Sequence, residues 1–351
     1  MRRSISFASV AVLASVLLAG CGGGGEDPEP GAGGSGGTTS DVKVGLAYDI
    51  GGRGDQSFND SAAAGLDKAK SEFGIEIKEL EASQNETDAQ KEERLRLLAS
   101  GGYDPVLAIG FAYATALGKV APEFPDTTFA IVDDSSLSAK NKNVTSLVFA
   151  EEQGSYLVGV IAAQASKSGK VGFVGGVNVP LIQKFEAGFT AGVKAAKPQT
   201  TVQVKYLSEP PDFSGFGNPA AGKAAAQGML DAGADVVYAA AGGSGAGVFE
   251  AVAAKPGSFA IGVDSDQYKT ADDALKPIIL TSMLKKVDVA VYDAIKASVN
   301  GSPLTGVQVF DLKQGGIDYS TSNSAVQPFT AKADEAKAKI GDGSVTVPTA
   351  K

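Results

Sequence analysis

Residues 48–60, Y-D-I-G-G-R-G-D-Q-S-F-N-D, place an acid, an aromatic ring and an amide close together in a glycine-rich loop. Asp49, Phe58 and Asn59 follow an apolar predicted strand and run into a predicted helix. Ligands bind beside the carboxyl ends of strands in open α/β sheets. A phenyl ring beside hydrogen-bonding side chains suits a flat, polar ligand such as a nucleobase. The alternative is an ordinary turn in which Ser57 or Asn59 caps the helix.

A second pattern pairs one acid with one amine. The stretch G-V-D-S-D-Q at 262–267 ends a predicted strand, and L-T-S-M-L-K-K at 280–286 follows shortly. Asp264 would accept hydrogen bonds from a vicinal diol, and Lys285 would donate to its oxygens. Hydrogen bonds to charged groups contribute about 1.5–3 kcal/mol each. The alternative is a surface salt bridge worth at most about 1 kcal/mol, and the sequence leaves open whether Lys285 or Lys286 points inward.

Two further stretches supply an acid and another ring. Asp133 ends the predicted strand F-A-I-V-D and is aimed at the same crevice, although a capping aspartate would look the same. The loop D-F-S-G-F-G-N-P carries Phe213 and Phe216 just before a helix. We favour Phe216, with Phe213 as its rival, as a ring that sandwiches a base against Phe58. Such stacking contributes about 1–3 kcal/mol per base, while the alternative for any phenylalanine is a core position.

The glycine-rich stretch at 239–247, A-A-A-G-G-S-G-A-G, lies between a predicted strand and a predicted helix. With Asp264 following, it is similar to a dinucleotide-binding loop, but Gly243, Gly245 and Val248 break the required spacing. The other interpretation is that the backbone N–H groups around Gly243 approach a neutral ligand closely.

The elements that must position these residues alternate between strand and helix. Predicted strands cover 42–48, 75–81, 105–111, 128–133, 144–149, 170–175, 202–208, 235–241, 258–263, 278–284 and 307–312. Predicted helices cover 59–72, 87–100, 113–121, 152–167, 182–197, 219–232, 245–254, 286–299 and 328–340. This alternation is typical of βαβ units and mainly parallel sheets.

An internal repeat divides the chain into two copies of one lobe. Phe58 and the pair Ala64-Gly65 are matched by Phe185 and Ala191-Gly192. Two later strand motifs are matched in the same order, and all three matches are displaced by about 130 residues. The repeat therefore predicts two lobes and not one large barrel.

Composition excludes several classes of function. The chain has 351 residues, which favours two domains, and its net charge of −9 argues against nucleic-acid binding. It has no histidine, so triad hydrolases and histidine-bound zinc sites lose most of their support. We accordingly expect no enzyme activity, no catalytic residue, no cofactor and no metal site.

The first 40 residues predict export. Residues 1–20 have a basic start and a short apolar run, which is typical of a signal peptide. The ending L-A-G-C resembles the bacterial lipobox, in which the cysteine, here Cys21, is lipidated. A core cysteine at this position is the alternative. Residues 21–40 then form a lipidated, glycine-rich tether that holds the protein on the outer side of a bacterial membrane.

Taken together, the chain resembles the basic membrane protein family of substrate-binding lipoproteins, the nucleoside-binding receptors of ABC importers. The motifs that carry the resemblance are L-A-G-C at 18–21, D-Q-S-F-N at 55–59, F-A-I-V-D at 129–133, A-A-G-G-S-G at 240–245, G-V-D-S-D-Q at 262–267 and T-S-M-L-K at 281–285. They occur in the family's order and cover essentially all of residues 41–320.

The resemblance implies a fold and a set of site residues. The fold is the type I periplasmic-binding-protein fold, an α/β architecture of two Rossmann-like lobes with parallel sheets joined by three crossover strands. Lobe one is expected at 41–149 and 264–305, and lobe two at 150–263 and 306–345. By matching motifs, the ligand-binding residues are expected to be Asp49, Phe58, Asn59, Asp133, Phe216, Gly243, Asp264 and Lys285. The two rings would stack the base, Asp49, Asn59 and Asp133 would address its edge, and the last three would hold the ribose. Arg53 departs from the family pattern, because this loop usually carries smaller polar residues there, and the base preference is left open.

The implied function is capture of nucleosides, with purine nucleosides the expected class, and delivery to an ABC permease by a monomer. A receptor for a sugar or another small polar solute on the same fold is the alternative, and it would need fewer rings and more acids and amides. A dinucleotide-dependent enzyme resting on the loop at 242–247 is a weaker one. A surface adhesin is permitted by the tether, but no stretch of sequence supports it.

Overall fold

The computed structural model describes residues 40–83 and 86–350, which form two doubly wound α/β lobes. The predicted signal peptide, Cys21 and nearly all of the predicted tether lie outside these residues. No helix among the described residues is both long and apolar enough to cross a membrane.

The strands are numbered in chain order. They are β1 Lys43–Ala47, β2 Glu76–Leu80, β3 Val106–Ala108, β4 Phe129–Val132, β5 Val144–Phe149, β6 Lys170–Val177, β7 Thr201–Ser208, β8 Val236–Ala240, β9 Phe259–Asp264, β10 Ile279–Lys285, β11 Gly306–Phe310 and β12 Ile317–Tyr319. The sequence missed β12, which has only three residues and too few positions to show alternation.

The helices are α1 Phe58–Phe73, α2 Asp88–Ser100, α3 Ala114–Val120, α4 Glu151–Ala165, α5 Pro180–Ala196, α6 Pro219–Asp231, α7 Gly245–Ala253, α8 Gln267–Thr270, α9 Val287–Val299 and α10 Gln327–Gly341. Local residues set their ends. Thr87 and Gln90 form a reciprocal capping box at the start of α2. Gly74 ends α1 with φ 63°, a left-handed conformation that suits glycine.

The two sheets have equivalent strand orders, which accounts for the internal repeat. The first sheet is ordered β11-β5-β4-β3-β1-β2 and the second β12-β10-β9-β8-β6-β7. All pairs are parallel except β10 with β12. Each order reverses beside its first strand, so each sheet opens a crevice at its carboxyl edge.

The chain passes between the sheets three times, after β5, after β10 and after β11. Two strands lie in the opposite lobe from the one expected. Residues 264–305 were expected in the first lobe, but β10 pairs with β9 in the second sheet. Residues 306–345 were expected in the second lobe, but β11 pairs with β5 in the first. The repeat explains the position of β10. It is the fifth strand of the second copy, so it joins the second sheet at the position that β5, the fifth strand of the first copy, has in the first sheet.

Two glycines of the repeat allow close packing of helices. A Cβ on Gly65 would stand 2.3 Å from the Asp288 carbonyl oxygen of α9, and one on Gly192 would stand 2.0 Å from that of Tyr156 in α4. Contacts this short forbid any side chain at either position. The Ala-Gly pairs that revealed the repeat therefore mark the same helix contact in each lobe.

Candidate functional site

A cavity of about 560 Å³, counted to its open mouth, lies between the two lobes at the carboxyl ends of their strands. The first lobe lines it with Asp49, Ile50, Asp55, Phe58, Asn59, Gly110, Phe111 and Asp133. The second lobe lines it with Leu181, Ile182, Phe185, Phe216, Ala240, Gly242, Val263, Asp264 and Lys285. Both halves of the repeat therefore contribute residues to the wall of the cavity.

Asp55 organises the loop between β1 and α1. Its carboxylate accepts hydrogen bonds from the backbone N–H groups of Ser57 at 2.9 Å, Asn59 at 2.9 Å and Asp60 at 3.1 Å. These donors belong to the start of α1, where N–H groups have no partner within the helix. Asp55 therefore fixes the position from which Phe58 reaches the cavity.

Asn59 is occupied by the same loop. Its side-chain oxygen accepts from the Asp49 N–H at 3.1 Å, and its Nδ2 donates to the Ile50 carbonyl at 3.3 Å and to Asp55 at 3.0 Å. Asn59 is buried and hydrogen-bonded at both ends of its amide. It thus positions Asp49, whose carboxyl lines the cavity and whose pKa is raised to about 6 by burial.

Lys285 is the cationic centre of the cavity and is 1% exposed. Its Nζ donates to Asp133 at 2.6 Å and lies 3.3 Å from Glu151 Oε1, within ion-pair distance but without hydrogen-bond geometry. The three rings of Phe58, Phe149 and Phe185 surround the same ammonium, at 5.2, 5.0 and 5.7 Å from their centroids. The neighbouring carboxylates outweigh burial and raise the pKa of Lys285, so it is ionised.

Asp133 is the first-lobe partner of Lys285. Burial raises its pKa to about 6, although the Lys285 ammonium opposes the shift. One oxygen receives the Lys285 bond, and Oδ1 has no hydrogen-bond partner within the described part of the chain. Asp133 also has φ 70°, a left-handed conformation that aspartate tolerates better than most residues.

Asp264 occupies the equivalent strand end in the second lobe, with φ 63°. Its Oδ2 accepts a 2.6 Å hydrogen bond from the Ser57 hydroxyl of the first lobe. Burial raises its pKa to about 7, opposed by Lys285 and by the Ser57 bond. Its carboxyl therefore lines the cavity with a hydroxyl partner, and no ammonium group of residues 40–83 and 86–350 forms an ion pair with it.

Aromatic rings form the apolar walls. Phe58 and Phe111 come from the first lobe, and Phe185 and Phe216 from the second. Phe111 meets Phe216 edge-on with centroids 6.4 Å apart. Phe213, the rival of Phe216, lines a neighbouring cavity and not this one.

The glycine-rich turn after β8 reaches the cavity one residue earlier than expected. Gly242, with φ 54°, lines it, whereas Gly243 lines a separate cavity near Gln56. Both glycines belong to a 3-10 turn at Gly242–Ser244, and a Cβ on Gly243 would still stand 3.5 Å from the Phe216 carbonyl oxygen. The ligand-binding role of the Gly243 backbone stays a prediction. A Cβ on Gly242 would stand 3.1 Å from the Phe216 carbonyl oxygen.

All of the other predicted side chains line this cavity. Of the two pairs that the sequence left open, Lys285 and Phe216 line the cavity, whereas Lys286 and Phe213 do not. Arg53 points away from them, because Glu79 and Asp67 hold its guanidinium at 2.7 and 2.9 Å. The sequence missed Phe111, Phe185, Asp55 and Glu151 as site residues. Phe185 could have been found, because the repeat aligns it with Phe58. Asp55 lies in the D-Q-S-F-N motif that carries the family resemblance, but it was not singled out there. Phe111 and Glu151 belong to none of the motifs that the sequence analysis used.

Comparison with known proteins agrees with this geometry. Residues 42–351 match the family described as "ABC transporter substrate-binding protein PnrA-like". The chain is 33% identical to the "ABC transporter nucleoside-binding protein BmpA" of Lactococcus lactis, with 99% of each chain covered. It is 35% identical, at the same coverage, to a "CD4+ T-cell-stimulating antigen" of Listeria innocua.

A solved structure supports the fold. An ABC transporter solute-binding protein from Aeropyrum pernix superimposes with a TM-score of 0.75 at 29% identity, covering 88% of this chain and 94% of that one. The predicted periplasmic-binding-protein fold is confirmed by this likeness and by the strand orders. The chain belongs to the PnrA-like family of ABC transporter substrate-binding proteins.

Proposed function

We propose that this substrate-binding protein captures nucleosides, purine nucleosides above all, in the cavity between its lobes. The observation that carries the proposal is that phenyl rings and aspartate carboxyls from both lobes line the same cavity. A nucleoside has the matching parts, since its base is flat and its ribose carries a vicinal diol. Its relative in Lactococcus lactis is named a nucleoside-binding protein.

The proposed division of labour follows the walls. Phe58 and Phe216 stack the base, and the carboxyls of Asp49 and Asp133 accept hydrogen bonds from its edge. Asp264 accepts from the ribose hydroxyls and Lys285 donates to their oxygens. Asn59 contributes by fixing the Asp49 backbone, because its own amide is already hydrogen-bonded.

The charge of the cavity favours an uncharged ligand. The lining includes four carboxyl groups and one ammonium, and the carboxyl groups are those of Asp49, Asp55, Asp133 and Asp264. A phosphate group placed there would meet more anionic than cationic charge. We therefore propose nucleosides as the ligands and not nucleotides.

Binding is proposed to favour a closed arrangement of the lobes, which a membrane permease then recognises. The protein is proposed to act as a monomer on the outer side of the membrane, anchored through Cys21. No bond of the ligand is made or broken. Chromatography of the ligand after long incubation with the protein should return it unchanged, and a stoichiometric product would contradict this.

Calorimetric titration of the purified protein tests the proposal. The panel comprises adenosine, guanosine, inosine, uridine, the corresponding 5′-monophosphates, the free bases and ribose. We expect saturable 1:1 binding of purine nucleosides, weaker binding of uridine and free bases, and no binding of monophosphates. Tight binding of ribose or a hexose with no gain from a base would favour the sugar receptor instead.

A further inference from the structure

The hydroxyl of Ser57 makes the shortest polar contact that Asp264 receives. It donates to Asp264 Oδ2 at 2.6 Å, and Ser57 is fully buried. Ser57 belongs to the first lobe, directly before α1, whereas Asp264 is the last residue of β9 in the second. The two residues therefore join opposite lobes at the wall of the cavity.

Neighbouring bonds hold the same two segments together. The Ser265 hydroxyl donates to the Ser57 carbonyl at 2.9 Å, and the Gln267 side chain donates to the Gln56 carbonyl at 3.0 Å. We call these residues, Gln56–Ser57 with Val263–Gln267, the interlobe seam. Only the Ser57 hydroxyl acts on a carboxyl that lines the cavity.

The geometry gives Ser57 a specific effect on Asp264. A carboxylate has two oxygens that accept hydrogen bonds, and Ser57 holds one of them, which fixes the plane of the group. Backbone geometry alone does not fix it, because terminal torsions of aspartate are broad. With Oδ2 held by Ser57, the orientation of the carboxyl depends on a donor from the opposite lobe.

We propose that Ser57 is a positioning residue that orients the Asp264 carboxylate for the ligand's hydroxyl groups, through a hydrogen bond that joins the two lobes. Ligand recognition by the second lobe then depends on a donor supplied by the first. The inference rests on the proposed function for its ligand, but the contact itself does not.

The test compares Ser57→Ala with Ser265→Ala. Both variants remove one hydroxyl from the interlobe seam, but Ser265 bonds only to a backbone carbonyl and leaves Asp264 untouched. Calorimetric titration with adenosine and guanosine is carried out from pH 6 to pH 9. In parallel, carboxyl carbon resonances of the ligand-free proteins follow the ionisation of Asp264.

For Ser57→Ala we expect affinity at pH 7 to fall about 10- to 100-fold, as for loss of a hydrogen bond to a charged group. The pKa of Asp264 should rise above its parent value of about 7, because the lost bond stabilises the charged form. The affinity deficit should therefore shrink towards pH 9. The other charged groups that act on this carboxyl, namely Asp55, Asp133 and Lys285, are unchanged in both variants.

Ser265→Ala should leave both the pH profile of binding and the Asp264 ionisation as in the parent protein. Equal effects of the two variants would overturn the proposal, since Ser57 would then be one seam contact among several. An unchanged Asp264 pKa in Ser57→Ala would overturn it as well. If the parent protein bound no nucleoside, the proposed function would fail, while the carboxyl resonance would still decide the Ser57 contact.

Discussion

Asp133 and Asp264 end equivalent strands of the two lobes, yet their surroundings differ. Both are buried, both have left-handed backbones, and both line the cavity. Asp133 has the Lys285 ammonium at 2.6 Å, and Asp264 has the Ser57 hydroxyl at the same distance. Accordingly burial raises the pKa of Asp133 to about 6 and that of Asp264 to about 7.

The difference shows how a duplicated framework supports two roles. The Asp133–Lys285 ion pair joins the two lobes, so a cation of the protein itself compensates the charge of Asp133. The charge of Asp264 is less compensated, so it is available to a ligand that can donate hydrogen bonds. A group whose ionisation destabilises the fold and which faces a cavity is characteristic of a functional site.

Removing the ammonium should have the largest effect. Lys285→Met leaves Asp133 without its cation, whereas Glu151 keeps Lys184 at 3.4 Å. Breaking a buried pair in this way costs about 3–5 kcal/mol. The loss should be greatest at pH 8 and smaller at pH 5, where the unpaired Asp133 carboxyl takes up a proton. Urea unfolding at both pH values measures it.

Lys286→Met is the matched control, because Lys286 does not line the cavity. It should change the free energy of unfolding little at either pH. A loss in Lys285→Met no larger than in this control would show that the Asp133–Lys285 ion pair does not stabilise the fold.

Replacing the other aspartate should separate affinity from stability. Asp264→Asn keeps the shape of the side chain and tolerates the left-handed backbone, but it removes the charge. We expect nucleoside affinity at pH 8 to fall about 100-fold, as for loss of strong charge-assisted hydrogen bonds. Calorimetry of the variant against the parent measures the change.

In Asp264→Asn the free energy of unfolding should rise, although the affinity for nucleosides falls. The folded protein binds the Asp264 proton more tightly than the unfolded chain does, so ionisation destabilises the fold as the pH rises from about 4 to 7. Asparagine removes this cost, and the free energy of unfolding at pH 8 should rise, by at most about 4 kcal/mol. If Asp264→Asn bound nucleosides as tightly as the parent and had the same free energy of unfolding, Asp264 would not have the distinct role that separates it from Asp133.

The rings should matter for the base and not for the sugar. Phe58→Ala and Phe216→Ala should each weaken the binding of purine nucleosides by about 10- to 100-fold, because a stacked base contributes about 1–3 kcal/mol. Any residual ribose binding should be unaffected. Phe213→Ala, outside the cavity, is the control, and equal losses for nucleoside and ribose would contradict the stacking role.

The smallest effect is expected at the turn after β8. Gly242→Ala forces a side chain into a left-handed conformation beside the Phe216 carbonyl, at a cost of about 1–2 kcal/mol. Nucleoside affinity should fall about fivefold, since the turn shifts. Gly243→Ala has an ordinary backbone and no contact under 3.5 Å, so titration should find it unchanged. A larger loss at Gly243 would support the assignment made from the sequence.

The sequence predicted most of the fold because strand and helix periods, glycine positions and the repeat are local signals. It placed β10 and β11 in the wrong lobes, because which sheet a strand joins is decided by pairing with residues distant in the chain. Asp264 and Lys285 could be predicted as strand-end charges. That Lys285 contacts Asp133 and Ser57 contacts Asp264 could not, because these partners are more than 150 residues apart.

A crystal structure of the protein grown with guanosine or adenosine tests the central claim most directly. We expect the base between Phe58 and Phe216, with the ribose hydroxyls about 3 Å from the Asp264 carboxylate. Ser57 should keep its bond to the same carboxylate. A nucleoside bound outside this cavity, or one whose ribose points away from Asp264, would contradict it.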